Sequence, residues 1–184
     1  MWGASASDVF AVGGEGVILH FDGSSWSEMA SGTSRFLGGV WGASGDDVFA
    51  VGGDSVDDAE QLVLRYDGSA WSTAHQSAAP ALNGIWGAGA SDVFAVGNGG
   101  AALRFDGESW QELTSYTNEP LWGIFGSGGD DVFAVGGGGV ILYYNGRFWA
   151  PQASPTTELL SGVWVGAHGR AWIVGAGGLV LEPQ

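Results

Sequence analysis

A motif that returns at a fixed interval commits a chain to a series of equivalent structural units, and here that motif is GVWGASGDDVFAVGG, residues 39–53. Its central Phe falls at Phe10, Phe49, Phe94 and Phe133, with Trp172 in a fifth copy, at intervals of 39, 45, 39 and 39. An aromatic eight residues earlier keeps the same beat: Trp2, Trp41, Trp86, Phe125 and Trp164. Downstream, Phe21, Tyr66, Phe105 and Tyr144 recur, each followed five residues later by Trp26, Trp71, Trp110 or Trp149. The second copy alone leaves the register, and its six extra residues lie between Gly53 and Gln61.

Helical repeats of this length need apolar residues at a spacing of 3.6, and the apolar runs here are too short for that. Each copy instead reads as four strands: L-x-G-V/I-W-G, then DVFAVG, then VILHF or a relative, then W-S-E-M or a relative. After the third strand come Asp22-Gly23, Asp67-Gly68, Asp106-Gly107 and Asn145-Gly146, strong hairpin signals because these residues tolerate positive φ. Four antiparallel strands per unit make a propeller blade. The expectation is a single all-β domain over residues 1–184, a β-propeller of about five blades with units 1–36, 37–81, 82–120, 121–159 and 160–184. The fourth-strand Trp of the last unit would fall 39 residues after Trp149, four past Gln184, so the last blade is expected to be incomplete. Further repeats or another chain would complete it.

Composition narrows the partners. Thirty-five glycines accompany a hydrophobic fraction of 45%, so they punctuate turns and are not a flexible linker. Twenty acids face five bases, all Arg, for a net charge of −15, which repels a polyanion and argues against nucleic acid. Acidity without lysine fits an extracellular or cell-surface setting, and also plain solubility. The chain has no Cys, hence no disulfide or thiolate chemistry, and no apolar run long enough for membrane insertion.

AVGG followed by an apolar strand ending in Phe21-Asp22 or Tyr66-Asp67, and then Trp26 or Trp71, resembles the kelch pattern, although kelch holds its Tyr and Trp further apart. D-G-S-x-W resembles the Asp-box of sialidase-like propellers with one residue missing between Asp and Gly. The whole chain is most similar to the short WG-x-x-x-x-DVFAVG repeats of large secreted and surface proteins of bacteria. That resemblance implies a propeller and is nearly silent on function.

Eighteen of the 23 aromatics occupy the periodic positions and are expected to pack blade against blade. Phe36, Tyr116, Trp122, Tyr143 and Phe148 do not. Phe36, Tyr116 and Trp122 fall in or beside the connections between one unit's last strand and the next unit's first, where recognition residues of repeat scaffolds concentrate. With Asn83 and Asn118 they form the candidate ligand-binding set, with Asp57 and Asp58 at the rim. Asp54, Asp57, Asp58 and Glu60 gather hard oxygen ligands in the insertion, a candidate calcium site whose alternative is a solvated acidic loop. Asp8, Asp47, Asp92 and Asp131, each just before V-F, are expected to cap their own turns. His20, His75 and His168 occupy three different kinds of position, and no nucleophile elbow or H-E-x-x-H occurs, so no catalytic residue is assigned. The chain reads as a non-enzymatic extracellular binding module for a glycan, or alternatively as a protein-interaction or spacer domain of a larger surface protein.

Overall fold

The structure is a computed structural model that describes residues 1–54, 59–166 and 170–182. Among the described residues, five antiparallel sheets follow one another in chain order, four of them with four strands and the last with three. The first sheet comprises β1 (Trp2–Ser5), β2 (Asp8–Val12), β3 (Ile18–Phe21) and β4 (Trp26–Met29), and the second β5 (Leu37–Ser44), β6 (Asp47–Asp54), β7 (Glu60–Tyr66) and β8 (Trp71–Ser77). The third holds β9 (Leu82–Gly89), β10 (Asp92–Gly97), β11 (Ala102–Phe105) and β12 (Trp110–Glu112). The fourth holds β13 (Leu121–Gly128), β14 (Asp131–Gly136), β15 (Ile141–Tyr144) and β16 (Trp149–Pro151), and the fifth β17 (Leu160–Val165), β18 (Ala171–Gly175) and β19 (Val180–Leu181). Each sheet is a simple meander. The chain packs as two compact units, Met1–Ile85 and Trp86–Gln184.

Both units are built on the same seam. In the first, Phe10 of β2 lies under Tyr66 and Trp71 of the next sheet, with ring centroids 5.8 and 6.2 Å away. In the second, Phe94 lies under Tyr144 and Trp149 at 5.1 and 6.3 Å. Around these rings, Leu121, Val132, Ala134 and Leu142 close one core, and Leu37, Val48, Ala50 and Leu64 close the other. Each fully buried ring contributes roughly 1.5–3 kcal/mol, which is why the aromatics recur at the sheet period. The Gly after the first-strand aromatic, in Trp41-Gly42 and Phe125-Gly126, has a related cause: a Cβ on Gly42 or Gly126 would meet the indole of Trp2 or Trp86 at 2.7 or 2.8 Å, so the glycine makes room for the preceding sheet's Trp.

Two expectations change. The candidate acidic loop is paired at its two ends, because the β6–β7 ladder extends through Gly53–Gln61 to Asp54–Glu60. The Asp-Gly turns are also not hairpins with both residues at positive φ. Only the glycines adopt it, from +87° to +98° at Gly23, Gly68, Gly107 and Gly146. The preceding Asp instead accepts backbone N–H bonds through its side chain: Asp22 from Ser24 and Ser25 at 2.8 and 2.9 Å, Asp67 from Ser69 and Ala70 at 2.9 and 3.0 Å.

Donors stabilise the ionised carboxylate, so both groups fall from the usual 3.8 to about 2, Asp22 chiefly through the Ser25 N–H and Asp67 chiefly through the Ser69 hydroxyl. A folded pKa below the unfolded one stabilises the fold above the unfolded value, and that stabilisation is lost as pH falls through the folded value. NMR titration should therefore find both carboxylates ionised at pH 3, with their turns weakening only as pH approaches about 2. A midpoint near 3.8 for either one would contradict the turn geometry.

Candidate functional site

The connections from one sheet to the next carry a device the aromatic pattern did not disclose. Ser31-x-Thr33, Ser115-x-Thr117 and Ser154-x-Thr156 share one repeat position. The Ser hydroxyl donates to the Thr carbonyl at 3.2, 3.3 and 3.1 Å, and the Thr hydroxyl accepts the N–H of Arg35, Glu119 or Glu158 at 3.1, 3.1 and 3.0 Å. Each Thr carbonyl then presses on the turn between strands two and three of the preceding sheet, where a Cβ on Gly16, Gly100 or Gly139 would overlap it. Those glycines also sit at φ +71°, +74° and +72°, so both space and backbone exclude a side chain. The connection and the Gly turn thus lie on one side of each sheet. The Asp-Gly turn lies against the opposite hairpin, with a Cβ on Gly107 reaching within 2.9 Å of Ser91. Recurrence of Ser-x-Thr in register was the available sequence signal.

The middle residue of that motif is Gly32 at φ +76° in the first connection, Tyr116 at φ +60° in the third and Pro155 in the fourth. Tyr116 holds a left-handed backbone while 68% of its surface is exposed. Asn118, two residues on, is exposed, and Trp122 opens β13 with 44% of its surface exposed. Tyr116, Asn118 and Trp122 therefore belong to one connection and the strand it enters, in the second unit. Phe36 and Asn83 belong to the first unit. The Phe36 ring is exposed while its carbonyl accepts from Gly53 N–H at 3.0 Å, and Asn83 is half-buried on β9 with its backbone against Gly38 of β5.

The candidate metal ligands stand differently. Arg35 donates to both Asp54 and Glu60, the latter at 3.1 Å, so its guanidinium already supplies a cation between these two carboxylates. Asp57 and Asp58 lie outside the described residues, as does His168. Among the described residues no group of three or more His, Asp or Glu is arranged to hold a metal ion.

Three of the acids before V-F bond the third strand of their own sheet, while the fourth, Asp131, accepts from the Ser127 hydroxyl within its own turn. Asp8 bonds His20 Nε2 at 2.7 Å, while Asp47 and Asp92 each accept from the Nε of Arg65 or Arg104 at 2.8 Å. These donors stand opposite the central Phe in the ladder and lie on its ring: His20 on Phe10 at 4.5 Å, Arg65 on Phe49 at 5.1 Å, Arg104 on Phe94 at 5.4 Å. Tyr143 takes the same place opposite Phe133 at 4.9 Å, so it is a repeat residue and not an unassigned aromatic. Burial raises the Tyr143 phenol pKa, and the Asp131 carboxylate adds to the rise. At Arg104 burial opposes the charge, yet the bonded Asp92 outweighs it and the pKa rises above its ordinary value. His20, Arg65 and Arg104 each serve the Asp–Phe pair of their own sheet.

Five successive meandering sheets, the last incomplete, make this chain a β-propeller. Among solved structures it is similar to YCF48 bound to D1 peptide, at 20% identity and TM-score 0.71, over 97% of this chain and 60% of that one. YCF48 from Cyanidioschyzon merolae gives 13% identity and TM-score 0.69, over 97% of this chain and 64% of that one. The β-propeller domain of Cps50 (Swd1) from Myceliophteria thermophila gives 14% and 0.64, over 96% and 64%. The chain thus spans about 60% of the length of the first of these. No protein-family model and no curated protein sequence matches it. No described helix is long and apolar enough to cross a membrane.

Proposed function

We propose that this chain is a non-enzymatic protein-interaction module of a larger extracellular or surface protein, and that it contacts a polypeptide partner through Tyr116, Asn118 and Trp122. The observation that carries this reading is the backbone of Tyr116. A left-handed conformation costs a bulky residue roughly 1–2 kcal/mol, and at the same place the first connection carries Gly32 and the fourth Pro155. The Tyr116 ring recovers none of that cost by burial, since it is exposed. An exposed aromatic kept at an energetic cost is what a binding anchor requires. A polypeptide is favoured over a glycan because the similar propeller YCF48 is bound to a peptide.

The test separates stability from binding. Tyr116→Gly relieves the strained φ and gives back part of the gain as unfolded-state entropy, so stability should be unchanged or rise by up to about 1 kcal/mol. Peptides selected from a display library on the wild-type protein should lose binding to Tyr116→Gly and to Trp122→Ala. A marked loss of stability in Tyr116→Gly would make the ring structural. Selected peptides that bind both variants as well as wild type would place the site elsewhere, and glycan-array binding without peptide binding would restore the carbohydrate reading.

A further inference from the structure

Three of the four turns after the third strand carry Asp-Gly, and the remaining one carries Asn145-Gly146, whose chemistry is different. Beside a glycine, the side-chain carbonyl of an asparagine is open to attack by the next main-chain nitrogen, because no Cβ shields that nitrogen. The chain holds three such pairs, beginning at Asn83, Asn98 and Asn145, and the fold treats them differently. Closing the ring requires the asparagine backbone to rotate until the following nitrogen faces its own side chain. Asn83 lies within β9, where the extended strand fixes that rotation. Asn98 opens the short helical turn Asn98–Gly100, and its main-chain carbonyl is held by the Ala101 N–H at 3.1 Å. Asn145 stands exposed between β15 and β16. Among the described residues neither its main-chain carbonyl nor the Gly146 N–H has a hydrogen-bond partner, so the peptide unit that must turn is free to do so.

The turn also prepares the carbonyl under attack. Asn145 Oδ1 accepts the N–H groups of Arg147 and Phe148 at 3.1 and 3.2 Å. These donors draw electrons from the side-chain carbonyl and stabilise the charge that builds on its oxygen as the nitrogen adds. The same pair of donors suits a carboxylate better. Asp106 accepts the N–H groups of Glu108 and Ser109 at 2.9 and 2.8 Å, and those of Asp22 and Asp67 are held at 2.8 to 3.0 Å. Charge-assisted bonds are the shorter ones, so an aspartate at 145 would complete the pattern of the other three turns.

We propose that Asn145 is a self-modification site, converted without an enzyme through a succinimide to aspartate and isoaspartate. The Gly146 nitrogen bonds to the Asn145 side-chain carbonyl carbon, the bond from that carbon to the amide nitrogen breaks, and the amide departs as ammonia with the Gly146 proton. Water then opens the ring. Cleavage at the side-chain carbonyl leaves aspartate on the original main chain. Cleavage at the main-chain carbonyl leaves isoaspartate, whose extra main-chain carbon moves the side-chain oxygen position away from the Arg147 and Phe148 N–H groups. Either product adds one negative charge. The turn sets Trp149, which is buried, opposite Tyr144, so the isoaspartate form loses stability while the aspartate form keeps it.

The test uses the intact chain, aged at mildly alkaline pH and then digested in acid. Peptide mass mapping should show a gain of about one dalton at the peptide that contains Asn145, with isoaspartate among the products. Conversion at Asn83 and Asn98 should lag by about tenfold or more in the folded protein and catch up in guanidinium chloride. Asn145→Gln should suppress the new acidic form, and Asn145→Asp should melt no lower than the wild type. An Asn145 that persists in the folded protein yet converts in denaturant would show that the turn protects it, and would overturn the proposal. Equal conversion of all three pairs in the folded protein would overturn the selection by the fold. Aspartate without any isoaspartate would overturn the ring route, and a lowered melting temperature of Asn145→Asp would overturn the match of this turn to a carboxylate.

Discussion

Trp149→Ala should cost about 3–5 kcal/mol of stability, whereas Trp26→Ala, the same change at the same repeat position, should cost less than about 1 kcal/mol. Trp149 is 1% exposed and lies 6.3 Å from Phe94 and 5.2 Å from Tyr144, so its loss opens a cavity in the seam of the second unit. Trp26 is 47% exposed and meets Phe21 at 5.4 Å, so its removal leaves little void to fill. Urea denaturation of the two variants beside the wild type measures both. Equal losses would mean that the seam in the second unit is not what stabilises the sheets.

Gly136→Ala should destabilise by about 2–3 kcal/mol, and Gly13→Ala by no more than about 0.5 kcal/mol. Gly136 ends β14 and Gly13 directly follows β2, both in extended conformation at φ −166° and −168°, so backbone strain plays no part. The difference is space. A Cβ on Gly136 would overlap the Pro120 carbonyl oxygen and lie 3.0 Å from Leu121 Cα, while one on Gly13 would meet nothing within 4 Å. The same carbonyl accepts the Gly137 N–H at 2.9 Å, so making room for the methyl group also stretches a ladder bond. Melting curves of the pair would check this, and a silent Gly136→Ala would show that β13 can shift away from β14 without penalty.

Much of the architecture was legible because its causes are local and repeated. DVFAVG forms a strand wherever it occurs, alternating Val and Phe between the two faces of the sheet, and the spacing between copies separates one sheet from the next. The side on which the connections emerge was also readable, since a meander of four strands permits one arrangement. The Asp partners were harder to see. His20, Arg65, Arg104 and Tyr143 share a position yet differ in charge and class, and what unites them is a donor atom above a Phe ring. A search by residue type divides them into a histidine, two arginines and a stray aromatic. Ser-x-Thr was missed for the opposite reason: small polar residues in a connection look like ordinary loop composition until their hydroxyls are seen closing on Thr33, Thr117 and Thr156.

By itself the sequence determined the strands, their order and the positions at which aromatics meet, because each depends on periodicity within a unit. The tertiary structure alone decided which copy of each residue is buried and which is displayed. Trp26 and Trp149 have the same strand position, as do Phe94 and Trp172, yet one of each pair is fully covered and the other is 47% or 38% exposed. Burial at these places is conferred by the neighbouring sheet, not by the residue's own strand. The backbone at Tyr116 was likewise a tertiary outcome, because the same hydrogen-bonded connection holds Gly32 and Tyr116 left-handed at two occurrences and takes Pro155 at a third.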